Sequence, residues 1–294
     1  MKQLVAGLGD VCAVAGAELF FVVGSPRSGT TWVQSALNAH PEISCSGEGH
    51  FFAELAPRLE KALDGYSRNI RRRSKLSLGD EKAFTPLDNS DDLLCLAVLL
   101  ILSRNARPGS RWIGEKTPDN ILVLERLSRM FPAARFIHVC RDPRDVCVSA
   151  WFNNLRFNRA GTLEKWPNFD NYAPVHARAW SNRVIAARHF AASHPKNYHE
   201  VQYETLIVDF GAAFSSLLEF LGAPATIEIV AGCREAGSFE EAAGRAVGVE
   251  DPGSHFRRGE AGTWQAYFNA ALARRYADIA GREMQLLGYD PAAN

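Results

Sequence analysis

The sequence predicts a single α/β domain in which a central parallel sheet is flanked by helices and entered through a strand, a glycine-rich loop and a helix. Three observations carry that expectation. Apolar, β-prone runs bounded by turn residues fall at 19–23 (LFFVV), 135–140 (RFIHVC) and 198–203 (YHEVQY). Stretches of helical spacing separate them, at 31–39, 93–106, 119–131, 145–155, 175–193 and 205–222, with another over 264–288. Finally, FFVVGSPRSGTTW at 20–32 runs from a buried strand through a Gly/Pro turn into a helix start. Strands alternating with helices imply parallel pairing, because each crossover returns over the sheet. With no internal repeat or linker, residues 1–294 read as one domain with its core at about 19–289.

The first element carries the most specific letters. A Walker-type loop reads GxxxxGK[ST]; its lysine reaches the outer phosphates and its hydroxyl holds Mg²⁺. Here the order is Gly24-Ser25-Pro26-Arg27-Ser28-Gly29-Thr30-Thr31, with Thr30 at the lysine position and the cation moved to Arg27. Backbone N–H groups of 27–31 and the positive end of the next helix can still cradle a phosphate. The lysine and metal geometry of terminal phosphoryl transfer is missing. The element is a phosphate-binding strand–loop–helix, P-loop-like but not built for ATP chemistry.

The second strand ends in a comparable arrangement. RFIHVCRDPRDVCVS, 135–149, is a strand finishing at Arg141, a Pro turn, and a helix start carrying Ser149. A strand-end Arg with a hydroxyl one or two helical turns later can hold a second phosphate. Asp142, Arg144 and Asp145 read as N-terminal helix charges with a local ion pair. A third stretch, FRRGEAGTW at 256–264, sets Arg257 and Arg258 beside Gly259, a basic loop able to fold over an anion.

Composition bounds the rest. The 294 residues are 47% hydrophobic and 22% charged, and 33 basic residues cancel 33 acidic ones, so any anion site must come from local clustering. The basic run at 68–75 is short and lacks stacking aromatics, which argues against a nucleic-acid surface and for a solvated helix face. Six cysteines without a CxxC pair, and Cys140 and Cys147 without a His at ligand spacing, read as idle thiols of a reducing compartment, with no metal expected. Asp10 and Glu18 interrupt the apolar start, which reads as an amphipathic helix rather than a signal peptide. LLCLAVLLIL at 93–102 is too short to span a bilayer, so no stable membrane insertion is expected and the location reads as cytoplasmic. Residues 58–90 and the aromatic-rich 151–174 read as insertions over the carboxyl ends of the strands, where such folds bind ligands.

Together the three constellations resemble the sulfotransferases that use 3′-phosphoadenosine 5′-phosphosulfate (PAPS), with a flavour of their bacterial, carbohydrate and tyrosylprotein branch. SPRSGTTW is similar to that family's 5′-phosphosulfate loop, CRDPRDVCVS to its 3′-phosphate strand and helix, and FRRGEAGTW to its C-terminal RKGxxGxW loop. The resemblance implies that Arg27, Ser28, Gly29, Thr30 and Thr31 hold the 5′-phosphate and sulfate, with Trp32 near the adenine. It assigns the 3′-phosphate to Arg141 and Ser149, joined by Arg257, Arg258 and Gly259, and an adenine contact to Tyr203. The implied reaction moves a sulfuryl group in line to a hydroxyl, an amine ranking second, with no metal and with 3′-phosphoadenosine 5′-phosphate (PAP) as the product.

Arg27 and Lys116, the latter in IGEKTPDN, are then the cations beside the bridging oxygen. The His that cytosolic members place after a KT pair is replaced by Pro118, so the resemblance points to Glu48 as base, with His50 as runner-up. A carboxylate suits that role where partial burial raises its pKa toward neutrality. The cytosolic dimer signature KxxxTVxxxE falls on Gln265, Asn269, Ala270 and Arg274, matching none, which leaves the oligomeric state open. The expected acceptor is a small molecule: a sugar, lipid, phenol or natural product. A P-loop-type small-molecule kinase and a non-catalytic PAPS-binding protein are the alternatives.

Overall fold

The computed structural model describes residues 9, 11–77, 89–237 and 260–292. Among them, five strands form one sheet in the order β2-β3-β1-β4-β5: β1 (Glu18–Gly24), β2 (Ile43–Ser46), β3 (Trp112–Lys116), β4 (Arg135–Cys140) and β5 (Tyr198–Gln202). Every pairing is parallel, with Val22 beside Lys116 and Gly24 beside Val139. The single α/β domain with a parallel sheet flanked by helices is the architecture expected. Because β1 has β3 on one side and β4 on the other, the carboxyl ends of these strands meet at the crevice where open α/β sheets bind ligands.

Strand alternation sends successive side chains to opposite faces, and each face has its own core. Phe20, Val22, Ile137 and Val139 pack against α1 (Thr30–Ala39), α8 (Phe210–Leu221) and α9 (Ile227–Ala236). Phe21, Val23 and Phe136 pack against α3 (Ser90–Asn105) and α6 (Phe169–Ser193). A third cluster joins α5 (Pro143–Lys165), α6 and α10 (Ala270–Leu286) around Trp151, Tyr172, Trp180 and Tyr276. Side-chain caps close several starts: Asn89, Asp209 and Asn269 each accept a backbone N–H two or three residues on.

The structure differs from the sequence expectation in identifiable ways. β2 was not expected, being a four-residue strand of small and polar letters. β3 was not either, because WIGEK looks like a loop; its Glu and Lys are buried all the same. The stretch at 58–90 is mostly helix: α2 (Ala56–Ser77) carries Arg68, Arg71, Arg72 and Arg73 on its exposed face, while 78–88 lie outside the described residues. The aromatic stretch at 151–174 covers most of α5, kinked at Asn158, and the start of α6. Trp151 and Trp166 pack on Tyr172 with ring centroids 5.4 and 5.0 Å away, so these aromatics join elements of the core; Phe157 is exposed. The helical stretch at 119–131 splits into a 3₁₀ turn, Pro118–Val123, and α4 (Leu124–Met130). At 205–222, Asp209 separates α7 (Tyr203–Val208) from α8. No helix among the described residues is long and apolar enough to cross a membrane.

Candidate active site

β1 delivers the loop at 24–31 to the middle of the sheet edge, and two glycines let it lie tight. A Cβ on Gly24 would stand 2.6 Å from the Val139 carbonyl oxygen. Gly29 adopts φ 95°, and a Cβ there would meet the Tyr203 ring at 2.5 Å. Arg27 holds a left-handed φ of 80° that only local constraint maintains. α1 starts at Thr30 behind Gly29 with no side-chain cap, so its first N–H groups face the loop.

The two strand ends converge around this loop. Arg27 Nε donates to Ser149 Oγ at 3.2 Å, tying the β1 loop to α5. Arg141, one residue past β4, donates to the Arg27 carbonyl at 3.4 Å and to the Glu260 carbonyl at 2.9 Å. Its guanidinium lies 4.3 Å over the Tyr203 ring, and Trp32 meets that same ring edge-on at 5.3 Å. Ser28 Oγ, Trp32 Nε1 and Arg141 Nε are buried without a hydrogen-bond partner among the described residues. Buried donors in that state are costly unless a ligand completes them. So Arg27, Ser28, Gly29, Thr30, Thr31, Trp32, Arg141, Ser149 and Tyr203 lie together around this loop, whereas Arg257, Arg258 and Gly259 lie outside the described residues.

The segment that follows those three residues is anchored here. Buried Asp145 accepts from Gly262 N at 2.7 Å, Thr263 Oγ1 at 3.0 Å and Trp264 N at 2.8 Å. Arg144 pairs with Asp142 at 2.8 Å and lies 3.7 Å over the Trp264 ring. The ion pair was expected, but Asp145 is more than a helix-end charge: it pins a segment 117 residues away. Glu204 likewise accepts from the Asp142 backbone N–H at 2.9 Å and from the Tyr289 hydroxyl at 3.0 Å. Neither role leaves a local sequence signal.

A second group sits at the end of β3. Buried Lys116 reaches Glu48 Oε1 at 2.6 Å, and the other oxygen of Glu48 lies 3.2 Å from His50 Nε2. The three candidates thus form one chain, cation to carboxylate to imidazole, and the register sets Lys116 beside Val22 on the strand that feeds the loop. Glu48 is only partly covered, its side chain 37% exposed. The buried carboxylate is Glu115, fully enclosed, whose burial pushes its pKa up to about 7.

His138, Cys140 and Glu200 bring an imidazole nitrogen, a thiol and a carboxylate oxygen within 4.8 Å of one another on β4 and β5, a neighbourhood that sequence spacing did not suggest for Cys140. Their polar atoms are already engaged. His138 Nδ1 lies 2.5 Å from the Tyr198 hydroxyl, and Glu200 accepts from Arg188 at 3.1 Å. Burial holds the Cys140 thiol well above its ordinary pKa, which fits a closed internal network.

With this geometry in place, comparison with known proteins is informative. The sulfotransferase family model matches residues 20–227, and the chain belongs to that family. It is 32% identical to protein-tyrosine sulfotransferase 2 of Gallus gallus over 127 residues, 43% of this chain and 32% of the relative. Protein-tyrosine sulfotransferase 1 of Homo sapiens matches at 32% over 126 residues, again 43% of this chain and 32% of the relative. The chain therefore spans about a third of the length of these relatives. Among solved structures, a mouse sulfotransferase complexed with PAP superposes at TM-score 0.57 with 18% identity, covering 94% of this chain and 88% of that one. The sulfotransferase domain of the curacin biosynthetic pathway gives TM-score 0.57 and 18% identity over 93% and 98% of the two chains. At that identity the likeness establishes the fold.

Proposed function

We propose that this protein is a PAPS-dependent sulfotransferase acting on a hydroxyl group of a small molecule. The observation that carries the reading is the double cradle: donors from the end of β1 and from the end of β4 converge, with three buried donors left to complete. A ligand with phosphates at two positions of one nucleoside fits two such grips, and Thr30 at the Walker lysine position disfavours the kinase alternative. The donor loop holds the 5′-phosphosulfate through residues 27–31, Arg141 and Ser149 hold the 3′-phosphate, and Trp32 and Tyr203 flank the base. Arg257, Arg258 and Gly259 complete the 3′ side in this reading, supported by the anchoring of the segment next to them by Asp145 and Arg141.

The chemistry requires a sulfur–oxygen bond to the 5′-phosphate to break while one to the acceptor oxygen forms. The acceptor proton passes to Glu48, with His50 second in line, and PAP leaves. Arg27 and Lys116 neutralise charge growing on the bridging oxygen, the contribution fixed cations make best. Lys116 also sets the Glu48 carboxylate in place, and that orientation helps equip it as base. No step calls for a metal.

The relatives named protein-tyrosine sulfotransferases, and a retinol dehydratase solved with retinol and PAP, are proteins whose names point to hydroxyl-bearing partners. All six cysteines are unpaired, which supports a reducing, cytoplasmic setting. Incubation with sulfur-labelled PAPS and a panel of phenols, sterols and sugars tests the reading. Label transferred without added metal supports it; transfer of phosphate from Mg·ATP to the same panel contradicts it.

A further inference from the structure

The candidate base sits on an exposed loop. Gly47, Glu48, Gly49 and His50 are all exposed, and His50 takes a left-handed φ of 46°. Among the described residues, the hydrogen bonds that tie this loop back to the sheet run to three consecutive positions. Gly49 N donates to Glu115 Oε1 at 2.8 Å, Lys116 Nζ donates to Glu48 Oε1 at 2.6 Å, and His50 N donates to Thr117 Oγ1 at 3.4 Å. Neighbouring strand positions direct their side chains to opposite faces, so Glu115 and Lys116 grip the loop from two sides.

Glu115 is the hub. Its Oε1 also accepts from the Thr117 hydroxyl, and its Oε2 accepts from Asn120 Nδ2 at 3.0 Å. Thr117 is thus a relay, donating to Glu115 while accepting from His50 N. One fully buried carboxylate thereby orders both the Thr117–Asn120 turn and the loop bearing Glu48. Enclosing a carboxylate is unfavourable, and an apolar residue would fill the position at lower cost. We propose that Glu115 is a positioning residue that fixes Glu48 against Lys116, a role that rests on the sulfotransferase reading above. In this role it acts through the loop, by its contacts with Gly49 and Thr117.

Glu115→Gln keeps the shape but turns one acceptor oxygen into a donor facing another donor. The expected result, with 2-naphthol or whichever hydroxyl compound the acceptor panel returns, is a turnover about 10- to 100-fold lower, the scale of a misplaced catalytic group. PAP affinity and the KM for PAPS should stay within about twofold, because the cradle is on other strands. The decisive readout is a cycle with Glu48→Gln. A group acting only through Glu48 adds no further loss in the double variant, whereas independent damage multiplies. Should Glu115→Gln not fold, Thr117→Val removes the relay and enters the same cycle. Wild-type turnover in the single variants, or losses that multiply in the double, would overturn the positioning role and leave the sulfotransferase reading standing. A wild-type protein that neither binds PAP nor transfers from PAPS overturns the reading, and this role with it.

Discussion

The two halves of the candidate site are built in opposite ways. On the cofactor side the polar groups are enclosed: Ser28 is 1% exposed, Thr30 3% and Ser149 8%. Backbone approaches too close for a Cβ lock them there. On the proposed acceptor side the Glu48 and His50 side chains are 37% and 48% exposed, and among the described residues the loop's ties to the sheet run through Glu115, Lys116 and Thr117. A cradle for a constant ligand can be rigid and buried, while a base must meet acceptors arriving from solvent. The difference separates binding from turnover, and substitutions should show it.

The largest separation is expected at Glu48. Glu48→Gln should lower turnover by roughly 10²–10⁴-fold, the usual weight of a general base. PAP binding, measured by calorimetry, should be unchanged. Normal turnover would move the base to His50 or beyond and merge the two halves. Gly29→Ala tests the other half. Its left-handed φ and the Tyr203 ring leave no room for a methyl, so strain on the order of 1–3 kcal/mol should appear as a lower melting temperature. PAP affinity should fall about tenfold or more as Tyr203 and the Arg141 stacked on it shift. An unaltered PAP affinity would mean that the cradle is looser than drawn.

A smaller effect concerns pH. Burial holds Glu115 near 7 against an ordinary 4.5. Between those values the folded state keeps a proton that the unfolded chain has lost, so the stability Glu115 contributes is full below about 4.5 and declines as pH rises toward 7. Unfolding free energies from urea titration at pH 5 and 7.5 should differ more in the wild type than in Glu115→Gln, by on the order of 1–3 kcal/mol. Parallel behaviour of the two proteins would show that the three donors around the carboxylate offset its burial.

The same contrast governs what could be read from sequence. The grouping of the 24–31 loop with Arg141 and Ser149 was legible because its information is local: strand, loop and helix start occupy residues 20–32, and Arg141 and Ser149 share one strand–helix junction. The acceptor side is assembled across long separations. Lys116 and Glu48 are 68 residues apart, and Glu115 meets Gly49 across 66. Glu48, His50 and Lys116 were singled out only through family resemblance, and Glu115 not at all, because a charged letter in WIGEK hides a buried strand. Asp145 was visible as a helix-start acid, but its partners at 262–264 were not. The aromatic stretch at 151–174 was ambiguous for a related reason: its letters suit helix packing as readily as an insertion over the strand ends.

The most direct test of the account is thermal stabilisation of the wild-type protein by PAP, set beside ADP and Mg·ATP. A ligand present at 100 times its Kd contributes about 2.7 kcal/mol of stability, a shift easily seen. The account predicts a clear rise in melting temperature with PAP, unchanged by chelator, and little with ADP or Mg·ATP. A rise with Mg·ATP and none with PAP would contradict it.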